Sequence, residues 1–119
     1  MLTDKTLKCH NVYGFSDEDI QRIKDYLQGA VQSWCRDRKG KWFSARDLLG
    51  GNNFYWNGTP LIVLYENYAK KGDNAYAIRQ AGIAAGHLLK QVLRDDTKRQ
   101  YDSRKSYTRQ YCWVGKEML

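Results

Sequence analysis

The side chains with the most chemical reach in this 119-residue chain lie in its last third. His87, Lys90, Gln91 and Arg94 follow one another at steps of three, one and three, which places them on one side of a helix. Lys98, Arg99, Arg104, Lys105 and Arg109 come directly after. Guanidinium and ammonium groups bind phosphate oxygens, and each such contact makes binding depend on salt. Arg and Lys also fit the acceptor edge of guanine, and Gln fits adenine. These residues are therefore candidate nucleic-acid contacts, each weighed against the plain alternative of a solvated surface charge.

The charge distribution points the same way. The formal net charge is +7, yet residues 1–60 carry only +2 of it. Between Arg79 and Lys116 stand nine Lys/Arg and three Asp/Glu. Such a cationic stretch suits a polyanionic partner.

Other chemistries find less support. Cys9-His10 has no partners at metal-ligand spacing, so neither a metal nor any other cofactor is expected. Asp95-Asp96 beside Lys98 could belong to a metal-dependent nuclease. They read more simply as solvated groups at a helix end, where they oppose the helix dipole. Neither a Gly-rich phosphate loop nor a Ser-His-Asp arrangement is found. A non-enzymatic protein is the expectation. The three cysteines, Cys9, Cys35 and Cys112, are odd in number and widely spaced, which argues for reduced thiols. No apolar run approaches a membrane span, and Met1-Leu2-Thr3-Asp4-Lys5 lacks the apolar core of a secretory signal. A cytoplasmic location without membrane contact is expected.

The elements that must position these residues follow from periodicity. Residues 1–14 show little and read as an N-terminal arm, leaving 15–119 as a single domain. Ser16 caps a helix whose first turn is acidic, with Phe15 stapled to Ile20. Ile20, Ile23, Leu27, Ala30, Val31 and Trp34 form its buried stripe, and Gly40 stops it. Residues 41–43 suggest a short strand. Ser44 then caps a brief helix over 45–49, with Asp47 completing a weak capping box. Thr59-Pro60 opens a third helix, and Asp73 caps a fourth that carries Ile78, Ala81, Ala85, Leu88, Leu89 and Val92 inward. Gly82 and Gly86 weaken its middle, so a turn at 81–83 separating helices 75–81 and 84–94 is an open alternative. From Lys98 the period becomes two. Arg99–Tyr101 reads as one strand and 107–114 as its partner, joined through 102–105. Tyr107, Arg109, Tyr111 and Trp113 share one face, and for the three aromatics packing is preferred over base stacking.

Helix, short strand, short helix, helix or helices, then hairpin is an order that resembles a winged helix-turn-helix domain. Phe43-Ser44-Ala45-Arg46-Asp47-Leu48-Leu49 looks like the strand-to-second-helix passage of such domains. Gly86-His87-Leu88-Leu89-Lys90 through Tyr111-Cys112-Trp113-Val114-Gly115 is similar to the tail modules of phage and plasmid replication proteins, where a recognition helix runs into a wing. The chain departs from the ordinary pattern by an additional loop and helix at 52–71. The resemblance implies an α+β, mainly helical winged-helix fold with a C-terminal β-hairpin wing. It also implies a non-catalytic regulator of transcription or replication in a phage or other mobile element, binding duplex DNA. Two other readings stay open. One is a protein-interaction module or inhibitor using an exposed aromatic loop, Phe54, Tyr55 and Trp56. The other is a small nuclease.

Overall fold

Capping chemistry starts the first helix where the sequence predicts it. In the computed structural model, which describes residues 1–50 and 56–114, α1 spans Asp17–Cys35 and the Ser16 hydroxyl accepts the Asp19 amide at 3.1 Å. Ile23, Leu27, Val31 and Cys35 recur every fourth residue, and all four are fully buried. The helix ends at Cys35, short of Gly40. Gly40 instead sits at φ 83° in the following turn, a conformation glycine adopts freely, and donates to the Trp113 carbonyl at 3.0 Å. That bond brings β1, Trp42–Phe43, alongside the last strand. α2, Ala45–Leu49, follows at once with the full capping box between Ser44 and Asp47.

α3 spans Ile62–Ala69, starting later than Thr59-Pro60 suggests. The Thr59 hydroxyl is turned backward and donates to the Trp56 carbonyl at 2.8 Å, so it caps no amide. Asp73 does cap α4, Asn74–Asp95, accepting the Tyr76 amide at 2.8 Å. α4 runs unbroken for 22 residues through Gly82 and Gly86. There is no turn at 81–83, and the two-helix alternative over 75–94 is excluded. Two mid-helix glycines cost about 1 kcal/mol each relative to Ala. Ala77, Ala81, Ala84 and Leu88 are buried on the far side of the helix, Ala85 and Leu89 are buried beside the glycines, and α4 packs against α3 and α1. Each buried Leu contributes roughly 2 kcal/mol, enough to outweigh that cost.

The C-terminal strands are β2, Tyr101–Lys105, and β3, Arg109–Trp113. The sheet is antiparallel in the order β1-β3-β2. The chain thus reverses at 106–108, and the expected connection 102–105 is strand. The register places Tyr101 opposite Trp113 and Ser103 opposite Tyr111, so Tyr101 and Tyr111 enter the core beside Phe43. Burial of these rings decides where the hairpin turns, because a one-residue slip would put them outside.

Residues 1–14 are not a loose arm. Leu2 is buried and bridges to Tyr101 in parallel, with Tyr101 N donating to the Met1 carbonyl at 2.8 Å and Thr3 N to the Tyr101 carbonyl at 2.9 Å. Leu7 and Val12 pack against the same core.

The passage from α4 to β2 is fixed by Asp96, which is buried and not the solvated cap expected. Its carboxylate accepts the Lys98 amide at 2.8 Å, the Arg99 amide at 3.1 Å and the Tyr101 hydroxyl at 2.6 Å. Burial alone would push this carboxyl up; the three donors outweigh it and hold the carboxyl below its ordinary range. The Tyr101 phenol is pushed far above its usual range by burial, then by the adjacent carboxylate.

A carboxyl with a depressed folded pKa stabilises the fold above its unfolded value, about pH 4, and loses that contribution as pH falls through the folded value. Asp96→Asn is expected to cost about 2 kcal/mol at pH 7. In urea melts, the gap between parent and variant should narrow as pH falls from 5 toward 2. A gap that stays constant with pH would show that the ionised carboxylate is not what stabilises this junction.

Candidate functional site

Packing against α1 and α3 leaves α4 one open stripe. Arg79, Ile83, His87, Lys90 and Arg94 run along it at steps of three and four, with Gly82 and Gly86 between them. Residues 8–13 lie against one flank of this stripe. α2 and the hairpin tip form the other. Between α2, α4 and the tip opens a cleft of about 610 Å³. Arg46, Arg79, Lys90 and Arg109 line it, and among the described residues no Asp or Glu does. Leu49, Ile78, Ile83, Ala85 and Leu89 make its floor apolar, with Trp56 and Tyr111 as walls. Burial pushes the Tyr111 phenol up to about 12, so it stays neutral.

Of the residues singled out from sequence, the structure brings His87, Lys90 and Arg109 together around this cleft. The others lie elsewhere. Gln91 is only 6% exposed, and its amide donates to the His10 carbonyl at 2.6 Å. It anchors the N-terminal segment and has no free edge to offer a base. Arg94 is exposed but forms an ion pair with Asp95 at 2.8 Å. Lys98 and Arg99 stand at the open end of the hairpin, away from its tip, and the Arg99 guanidinium lies 5.1 Å from the Trp113 ring centroid. Arg104 is on the outer sheet face, stacked 4.1 Å from the Trp42 centroid and donating to Gln110 at 2.7 Å. Lys105 is exposed beside the turn, opposite Arg109. Tyr107, in the turn itself, is wholly exposed.

The aromatic loop reads differently from its expectation. Trp56 is buried, so it is not part of an exposed hot spot, and Phe54 and Tyr55 lie outside the described residues. Among the described residues, no three His, Cys, Asp or Glu side chains form a metal-ligating group. No described helix is long and apolar enough to cross a membrane.

Two cleft residues were not singled out from sequence. Arg79 was legible: it lies on the His87 face, two turns earlier, at steps of four through Ile83. Arg46 had no local signal, because only the tertiary fold brings α2 to the cleft. Arg46, Arg79 and Arg109 form no ion pair among the described residues. Lys90 donates to the Lys8 carbonyl at 3.2 Å, which holds the head without neutralising it. Unneutralised cations around an apolar floor produce a strong local potential, since low-dielectric walls focus the field.

The N-terminal segment adds a second constraint. The His10 and His87 rings lie 4.8 Å apart, tilted by 54°. Partial burial, then the neighbouring His10 and Lys90, hold His87 below its ordinary value. An imidazole so depressed favours the fold fully above about pH 6.5 and loses that contribution as pH falls through its lowered value. In an NMR titration, His87 should protonate below pH 6.5, and His10→Ala should move its midpoint upward. An unmoved midpoint would show that the ring pair is not coupled. No family model matches the chain, and searches of curated proteins and of solved structures likewise find no match, so a functional reading rests on the cleft's own chemistry.

Proposed function

We propose that this protein binds nucleic acid, duplex DNA in the first instance, without catalysing a reaction. The observation that carries the reading is the shared cleft: one stretch of α4 and the hairpin tip line it together, with Arg46, Arg79, Lys90 and Arg109 around it and no carboxylate among the described residues. A phosphate backbone is the partner that such a cation set recognises most economically, because every contact releases a counterion. The element order α1–β1–α2–α3–α4–β2–β3 and the sheet order β1-β3-β2 support a winged-helix reading. In it, α4 is the helix presented to a groove and the hairpin is the wing beside it. Lys105 and Tyr107 at the turn extend the contact surface along the duplex. Gln91, anchored beneath the N-terminal segment, takes no part, so sequence preference rests on Arg79, His87 and Lys90. A binding module of this size suits control of transcription or replication.

Anisotropy titrations of the full chain against a labelled duplex test the reading across a salt series. The parent should bind with a steep negative dependence of log affinity on log salt. Combining Arg46→Glu, Arg79→Glu and Arg109→Glu should shallow the slope by about 2–3 and lower affinity by roughly two orders of magnitude. Circular dichroism should show unchanged helix content, since none of the three is a core residue. A triple variant that binds as tightly as the parent at moderate salt would overturn the reading.

A further inference from the structure

We infer that the cleft seats one unpaired nucleobase, so that the preferred ligand is a duplex interrupted by a bulged or splayed nucleotide and not a continuous one. The inference rests on the nucleic-acid reading and names the class of ligand within it.

The floor of the cleft is the starting observation. A continuous duplex presents phosphates to a cationic rim, but its base faces are hidden in the stack. An apolar floor therefore has nothing to receive from it. Ile83 remains 47% exposed on that floor. Gly82 and Gly86 lie one helical turn apart within it. A Cβ at either position would meet nothing within 4 Å, and neither glycine has positive φ. The fold itself thus gives no reason for glycine, the least helix-favouring residue after proline, at either place. A ligand that must approach the helix backbone closely does give one.

Trp56 and Tyr111 present aromatic walls to the same cleft. A nucleobase offers a flat apolar face that matches the bare lane over Gly82 and Gly86. Phosphates on either side of the unpaired nucleotide meet the cations Arg46, Arg79, Lys90 and Arg109 around the cleft. The volume, about 610 Å³, falls within the range of sites that enclose a small molecule, roughly 300–1,000 Å³. An acidic amphipathic helix would satisfy the cations, but it carries no flat face to fill the bare lane over Gly82 and Gly86.

The test compares two probes at one salt concentration: a continuous duplex, and the same duplex carrying a single 2-aminopurine bulge. The parent should bind the bulged probe about tenfold more tightly, the scale set by stacking one base on a protein surface. 2-Aminopurine emission should change on binding as the base leaves water. Gly82→Leu and Gly86→Leu fill the floor with a better helix former and leave the rim cations in place. In both variants the preference ratio should collapse to about one. Arg79→Glu should weaken both probes and keep the ratio. Equal affinity of the parent for the two probes, or a ratio preserved in both leucine variants, would overturn this inference while leaving duplex binding standing. Absence of binding to either probe at low salt would instead overturn the nucleic-acid reading, and this one with it. Displacement of the bulged probe by an acidic helical peptide at equal affinity would assign the cleft to a protein partner.

Discussion

A single buried carboxylate sets the relation on which the rest of this molecule depends. Asp96 lies where α4 ends and β2 has yet to begin, and it gathers the amides of Lys98 and Arg99 and the hydroxyl of Tyr101. An ionised group in that position is tolerated only when its oxygens are satisfied, and here three donors do so. Those bonds fix how the chain leaves the helix, and so fix the direction of the hairpin. Tyr101 then carries the constraint outward, pairing with Trp113 on one side and with the first residues of the chain on the other. A helix and a hairpin that met at any other angle would share no cleft.

The shared cleft has a physical cost that the fold does not need to bear. Cations facing one another around low-dielectric walls repel, and Arg46, Arg79 and Arg109 have no acidic side chain paired with them among the described residues. Elsewhere the chain manages its positive charge by stacking guanidinium and ammonium groups on indole rings, Arg38 on Trp34, Arg104 on Trp42, and Lys39 with Arg99 on Trp113. The contrast separates cations engaged in holding the sheet from those left facing solvent over an apolar floor. The second group is the one available to a partner.

What the sequence made legible follows from how local each determinant is. Ser16, Ser44 with Asp47, and Asp73 act within one turn, so the starts of α1, α2 and α4 could be read directly. The alternating pattern after Lys98 revealed a hairpin, but Asp102 and Ser103 resemble turn residues. Only their pairing with Cys112 and Tyr111, with Tyr101 buried in the same core as Phe43, shows that they belong to a strand. Gly82 and Gly86 suggest a break by propensity alone, and the alanine-rich face packed on α3 and α1 carries the helix through them. Gln91 looked like part of an exposed face because residues 8–13 have no periodicity to announce that they cover it. The aperiodic segment is held by hydrogen bonds to carbonyls, and these leave no trace in side-chain patterning. Arg46 escaped for the same reason: its role comes from where α2 is carried, and not from its neighbours in the chain.

The claim that the open face of α4 and the hairpin act as one surface is tested most directly by an amide NMR titration of the full ¹⁵N-labelled chain with a short duplex. The expected result is a set of shifts at Arg46, Arg79, Gly82, Gly86, Lys90 and Arg109 that saturate together with one dissociation constant. Shifts confined to the exposed side of α1, or helix and hairpin resonances that titrate with different constants, would contradict it.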